Sequence, residues 1–115
     1  MELTIWEDKI RHFGKPISFT KYFLSETRVF EEKGFIVRKK TQILLYNIRD
    51  VSVKQNLYQK IWNTGDITIL SSDIDSPEFI IKNIKDPDDV AELIYDYSEK
   101  QKNKMRIGRI EINDI

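Results

Sequence analysis

Apolar and polar positions alternate with a period of two along much of the chain, and this pattern predicts β-strands. The predicted strands are rich in aromatic and β-branched residues, which suit a pleated, half-buried surface. Turn signals such as Lys33-Gly34 separate neighbouring strands, because glycine supplies the positive φ that tight hairpins need. The strands are predicted over residues 17–25, from Val29 and Phe30 onwards, and over residues 35–45, 49–55, 66–71 and 78–84.

Residues 56–63 interrupt this pattern with the spacing of a short helix. Asn56 is a suitable N-cap, and Gly65 is expected to end the helix in the left-handed conformation. Because the apolar residues lie at i, i+1, i+4 and i+5, they share one face, and we predict that this face covers the mouth of a bent sheet. The predicted core residues of this helix are Leu57, Ile61 and Trp62. Two interpretations of Tyr58, Trp62 and Trp6 are open, namely that they line a ligand groove or that they close the end of the barrel, and the core is favoured for Trp62.

A second, longer helix is predicted from residue 87 onwards. Asp86 is placed to cap it, and Pro87 fits its first turn. An apolar stripe follows at i, i+3, i+4 and i+7, made of Val90, Leu93, Ile94 and Tyr97. Residues 105–115 are expected to add one more strand, to dock on a neighbour or to fray. The predicted organisation is an N-terminal arm (1–16), a domain (17–104) and a C-terminal extension (105–115).

The order of elements predicts a mainly β fold with one C-terminal helix. A small antiparallel sheet buries its apolar face best by bending into a partly open barrel, with the helix closing one end. A chain of 115 residues is long enough for one such core. The absence of cysteine excludes disulfides and thiolate chemistry, and no apolar run approaches the ~18 residues of a membrane span. We therefore expect a cytoplasmic protein.

The formal net charge is zero, but the charges are sorted along the chain. Residues 28–60 hold eight Lys and Arg and three acids, whereas residues 66–96 hold nine acids and two lysines. Two interpretations remain open. The two blocks face each other within the fold, or they attract other copies of the chain or a polar partner.

Five motifs in sequence resemble the bacterial pleckstrin-homology-like (PH-like) domain family. They are Tyr22 to Ser25 with Arg28, Gly34 to Ile43, Ile48 to Leu57, Gly65 to Ile67, and Ile84 to Val90. The resemblance covers roughly residues 17–100. It implies a bent, partly open barrel of about seven antiparallel strands capped by the C-terminal helix, in agreement with the pattern of apolar positions.

Candidate chemistry for catalysis is sparse. His12 is the single histidine, it lies outside the resembling region, and no nucleophile motif accompanies it. The sequence lacks the Cys and His clusters of a zinc site and the D-x-D-x-D-G loop of a calcium site. We expect no enzyme activity, no cofactor and no metal.

The candidate binding residues are basic, namely Arg38, Lys39, Lys40 and Lys54. Cations near a charged leaflet attract anionic lipid, but alternation along a strand sends Arg38, Lys39 and Lys40 to opposite faces. The same charges also protect a strand edge from pairing with other chains. Trp6 is a candidate interface residue.

Two functions follow from these patterns. The first is a non-catalytic interaction module that binds a protein partner or its own copies. The second is a peripheral domain that contacts anionic lipid at a membrane surface. Nucleic acid is not expected, because the chain is neutral overall and lacks a basic aromatic platform motif.

Overall fold

A computed structural model of the chain describes residues 3–13, 15, 18–34 and 37–113, with side chains through Arg106. Seven strands and two α-helices lie within those residues. The strands are β1 (Thr4–Lys9), β2 (Thr20–Ser25), β3 (Arg28–Lys33), β4 (Lys39–Leu44), β5 (Ile48–Lys54), β6 (Thr64–Ser71) and β7 (Glu78–Lys85). The helices are α1 (Leu57–Trp62) and α2 (Pro87–Asn113), and a short 3-10 turn at Leu45–Asn47 joins β4 to β5.

The strands form two antiparallel sheets with simple up-and-down connections. One sheet has the order β1-β2-β3-β4, and the other has the order β5-β6-β7. The sheets meet at the corner between β1 and β7, where the Arg11 amide donates to the Asn83 carbonyl oxygen over 2.9 Å. The barrel is therefore partly open, as the sequence predicted.

A single apolar core fills the space between the sheets and α2. Strand residues that alternate along the inner faces supply most of it, including Tyr22, Leu24, Ile67 and Ile69. Helix α2 adds Val90 and Ile94, both buried, with Leu93 and Tyr97 partly buried beside them. The predicted stripe of α2 is confirmed, and with it the mainly β fold closed by a C-terminal helix.

Three local features add to the expectations from the sequence. Residues 4–9 form a strand paired with β2, with an irregular register between Thr4 and Trp6, so this part of the arm extends the first sheet. The backbone of α2 stays helical to Asn113, so of the alternatives expected for residues 105–115 the extra strand does not form within the described residues. Strand β4 begins only at Lys39, and residues 35 and 36 of the predicted strand lie outside the described residues.

Candidate functional site

Helix α1 connects β5 to β6 at one end of the barrel. Capping hydrogen bonds define the first and the last turn of the helix. Asn56 and Gln59 form a capping box, in which each side chain accepts from the backbone amide of the other over 2.8 and 3.0 Å. Asn63 ends the helix with φ 53° in the left-handed region. The predicted cap at Asn56 is confirmed, whereas the left-handed residue is Asn63 and not Gly65.

Gly65 does not cap α1, and its role is to allow close packing of β6 against the start of α2. A Cβ atom at this position would lie 2.8 Å from Cγ of Pro87 and 3.2 Å from the carbonyl oxygen of Lys54. The first contact is closer than packed atoms tolerate, and the second is tighter than ordinary van der Waals contact. Glycine therefore lets β6 pass directly beneath the first turn of α2.

The orientation of α1 contradicts the prediction that its apolar face covers the barrel mouth. Leu57 is 81% exposed and Ile61 is 75% exposed, whereas Gln59 is buried with 8% exposed. Trp62, expected in the core, is 39% exposed. The helix is inverted, with a polar side chain pointing inward and its apolar side chains pointing to solvent.

The groups beneath α1 explain this inversion, because they are polar. The Gln59 amide nitrogen donates to Oδ1 of Asp66 over 3.1 Å and to Oδ1 of Asn83 over 3.2 Å. The Asp66 carboxylate also accepts from the Asn83 backbone amide over 2.8 Å. Buried polar groups are costly unless they are hydrogen-bonded, so the inner face of α1 must carry a donor such as Gln59.

The exposed side of α1 joins the turn between β1 and β2 in one apolar surface. The rings of Phe13 and Trp62 meet edge to face, with centroids 6.4 Å apart and an interplanar angle of 82°. Phe13 is itself 68% exposed. We name this surface the apolar tip, and it consists of Phe13, Leu57, Tyr58, Ile61 and Trp62.

The backbone around the apolar tip is held in uncommon conformations. Among the described residues, the non-glycine positions with positive φ are Phe13, Asn63, Asn83 and Asp86, at 47° to 53°. Two of them are joined directly, because the Asp86 amide donates to the Asn63 carbonyl oxygen over 3.0 Å and the Asn63 side chain donates to the Asp86 carboxylate. Such conformations persist only where surrounding contacts hold them, and they cluster at functional sites.

Asn83 links the two segments of the apolar tip. Its side chain accepts from Gln59 of α1 and donates to the Arg11 carbonyl oxygen in the turn between β1 and β2. The His12 and Lys15 backbones pair with each other over 2.9 and 3.0 Å, which closes the turn that presents Phe13. The apolar tip is thus built on hydrogen-bonded supports.

The two segments that form the apolar tip carry basic residues and no acids. Residues 11–15 contain Arg11 and Lys15, and residues 54–63 contain Lys54 and Lys60. Arg11 forms a salt bridge with Asp8 at 3.1 Å. Within the described part of the chain, none of the three lysines forms a salt bridge.

The basic candidates of the sequence lie in two places. Arg38 and Lys40, at the start of β4, both contact the Glu32 carboxylate, at 2.7 and 3.8 Å. Lys40 also lies over the Phe30 ring, 4.5 Å from its centroid, and Lys39 is exposed. Lys54 belongs to the other sheet, at the end of β5 that leads into α1.

A hollow of about 310 Å³ lies beside the start of β4 and includes Arg38. Its charged lining residues are Lys9, Lys21, Glu32, Lys33 and Arg38. Three of these four cations form salt bridges with glutamates of β1 or β3, so their charge is largely balanced locally.

Trp6, the candidate interface residue, is half-buried on β1. It lines a groove of about 300 Å³ between β1 and the first turns of α2. His12 is exposed. No group of three or more His, Asp or Glu side chains is arranged to hold a metal within the residues that the structure describes.

The oppositely charged blocks of the sequence meet in one sheet, because β5 pairs with β6 and Lys54 lies opposite Asp66. The six salt bridges found among the described residues lie within β1–β4 and their turns or within α2. None of them joins residues 28–60 to residues 66–96. Parts of the two blocks therefore do face each other within the fold, as the first interpretation expected, although no salt bridge among the described residues joins them.

Two antiparallel sheets, a partly open barrel and a packed C-terminal helix define the PH-like class. The model of one family in this class, described as the bacterial PH domain, matches residues 12–98. The chain therefore belongs to the bacterial PH domain family, as the motifs predicted. No curated protein matches the chain. No helix in the described ranges is both long enough and apolar enough to cross a bilayer.

Proposed function

We propose that the protein is a non-catalytic binding module that docks on its partner through the apolar tip. One observation carries this proposal, namely the inversion of α1. Helices at a protein surface normally turn apolar residues inward, but α1 exposes Leu57 and Ile61 and buries Gln59. Exposed apolar clusters on soluble domains mark surfaces that bind something else.

The supports beneath the apolar tip favour a binding role over accidental exposure. A flexible apolar loop would collapse onto the nearest apolar surface. Helix α1 is instead capped at both ends and hydrogen-bonded to β6 and β7 through Gln59. A preorganised surface loses less conformational freedom when a partner binds. The apolar side chains are thus held ready for contact.

In-cell photocrosslinking tests this proposal. A benzophenone amino acid replaces Ile61 in one variant and Ile74 in a matched control, since Ile74 is an exposed isoleucine in the turn between β6 and β7. We expect crosslinked adducts, with protein or lipid, from position 61 and few from position 74. Equal yields at the two positions would contradict the proposal.

Self-association is a second candidate, supported by the sorting of charge along the chain. Because no salt bridge among the described residues joins residues 28–60 to residues 66–96, exposed charges of one block are available to the opposite block of another copy. Sedimentation at about 20 mM and about 500 mM salt tests this, because salt screens exposed charges. We expect a mass that rises with protein concentration at low salt only, whereas a monomer at both salt concentrations would exclude it.

Contact of Arg38, Lys39, Lys40 and Lys54 with anionic lipid stays a prediction. One feature weakens it at the start of β4, namely the pairing of both Arg38 and Lys40 with Glu32. Lys54 is better placed, because it lies next to the apolar tip. A cytoplasmic location, with or without membrane contact, belongs to the same proposal.

A further inference from the structure

We infer that the apolar tip inserts into the interfacial layer of an anionic lipid bilayer. This inference rests on the proposed function, because it names the partner of the same surface. It places membrane contact at α1 and at the turn that carries Phe13, and not at the basic start of β4.

The shape and chemistry of the apolar tip fit a bilayer. Five surface hollows of about 210 to 310 Å³ among the described residues are all lined by residues outside the tip. The tip itself projects two aliphatic and three aromatic side chains. Trp and Tyr favour the zone between headgroups and acyl chains, where an apolar ring and a polar atom are both satisfied.

The charges nearest to the apolar tip point to an anionic surface. Lys15, Lys54 and Lys60 lie in the two segments that form it, and those segments contain no acid. The acids next to these segments are engaged in hydrogen bonds, because Asp66 accepts from Gln59 and Asp86 accepts from Asn63. An apolar centre with lysines around it matches an apolar layer that lies beneath anionic headgroups.

Attachment of this kind is expected to be weak and reversible. One short helix and one turn insert few side chains, and the exposed carboxylates of Asp88 and Asp89 on α2 reduce the attraction. Insertion and charge must therefore act together, as for other anchors that combine a small apolar element with a basic patch. Loss of either one is expected to release the protein.

Vesicle sedimentation with the full chain tests the inference. The probes are vesicles of phosphatidylcholine alone and of phosphatidylcholine with about one quarter phosphatidylglycerol, at about 150 mM salt. We expect binding to the mixed vesicles only. Ile61→Ser should lower the partition coefficient about tenfold, because it removes an inserted apolar side chain. The matched control Ile74→Ser should leave binding unchanged.

Charge is tested separately with two glutamine variants. Lys15→Gln with Lys60→Gln should weaken binding several-fold, whereas Arg38→Gln with Lys39→Gln and Lys40→Gln should have little effect. Fluorescence gives an independent readout, because Trp62 should shift to shorter wavelengths on the vesicles. That shift should persist in Trp6→Phe and disappear in Trp62→Phe.

Three results would overturn the inference. The first is that the protein fails to bind mixed vesicles. The second is binding that Ile61→Ser leaves intact and the β4 glutamine variant abolishes. The third is an equal response to Ile61→Ser and Ile74→Ser. If vesicles are not bound but a crosslinker at position 61 captures protein, the apolar tip docks on a protein, and only the lipid inference fails.

Discussion

Phe13 and Trp62 contact each other edge to face across the two segments of the apolar tip, with ring centroids 6.4 Å apart. Phe13 comes from the turn after β1, and Trp62 is the last residue of α1. Aromatic pairs in this geometry contribute about 0.5–1.5 kcal/mol beyond the area that they bury. The contact therefore helps to fix α1 against the turn while most of both segments stays in solvent.

The backbone conformation of Phe13 gives a first prediction. Its φ of 53° costs a side chain with a Cβ atom roughly 1–2 kcal/mol, whereas glycine adopts it readily. Phe13→Ala and Phe13→Gly both remove the ring. We expect Phe13→Gly to have the larger free energy of unfolding, by about 1 kcal/mol. Urea titration measures the difference, and equal stabilities would argue that residue 13 does not hold a left-handed backbone.

Gly65 provides a second prediction, which separates close packing from helix capping. We expect Gly65→Ala to lower the free energy of unfolding by about 1–3 kcal/mol, because the new methyl group meets Pro87 and the Lys54 carbonyl oxygen. Asn63→Gly should cost much less, since glycine suits the left-handed residue that ends α1. Chemical denaturation of both variants is the measurement. A tolerated Gly65→Ala would mean that β6 does not approach α2 this closely.

The Tyr22 phenol gives a third prediction, about alkaline pH. The hydroxyl donates to the Ile80 carbonyl oxygen over 3.4 Å and accepts from the Lys82 amide over 3.2 Å. Burial raises the pKa of Tyr22 above its ordinary value of about 10. The unfolded chain therefore loses this proton at a lower pH than the folded protein does, and stability falls as pH rises above about 10.

Tyr22→Phe removes that titration. At pH 8 the variant should be about 1 kcal/mol less stable, because the Lys82 amide and the Ile80 carbonyl lose their partner. The difference in the free energy of unfolding between the wild type and the variant should narrow between pH 9 and pH 11. Only the wild type loses stability over this range, because its phenol stays protonated in the folded protein and ionises in the unfolded chain. Urea titrations across this range measure the difference. A constant or widening difference would contradict the assignment.

The sequence predicted the elements well where local signals were strong. Asn56 caps α1 and Pro87 begins α2 because each satisfies backbone groups within its own segment. Tyr22 and Leu24 share the buried face of β2 because strand side chains alternate strictly. These features depend on residues that are close together in the sequence, so they can be predicted from the sequence alone.

The apolar tip was missed because periodicity shows which residues share a face and not which face turns inward. Leu57 and Ile61 do lie on one side of α1, but the sites beneath the helix hold Asp66 and Asn83. Both come from strands that follow α1 in the sequence. The available signal was Gln59, an amide at the third helical position that completes the capping box from the inner side.

The basic candidates were limited for a similar reason. Arg38 and Lys40 were predicted as candidate binding residues, but their pairing with Glu32 depends on the register between β3 and β4, where Glu32 lies opposite Lys40. Lys15 and Lys60 are far apart in sequence, and the contact between Phe13 and Trp62 brings the segments that carry them together. Charge runs are visible in a sequence, whereas charge partners require the fold.

The inversion of α1 is the central claim, and paired free energies of unfolding test it most directly. Gln59→Leu leaves the Asn56 amide and the Asn83 side-chain oxygen without their partner, so we predict a loss of about 1–3 kcal/mol. Ile61→Ser alters an exposed side chain and should change stability by no more than about 0.5 kcal/mol. The opposite order, with Ile61→Ser severely destabilising and Gln59→Leu neutral or stabilising, would show that the apolar face of α1 lies inside the barrel.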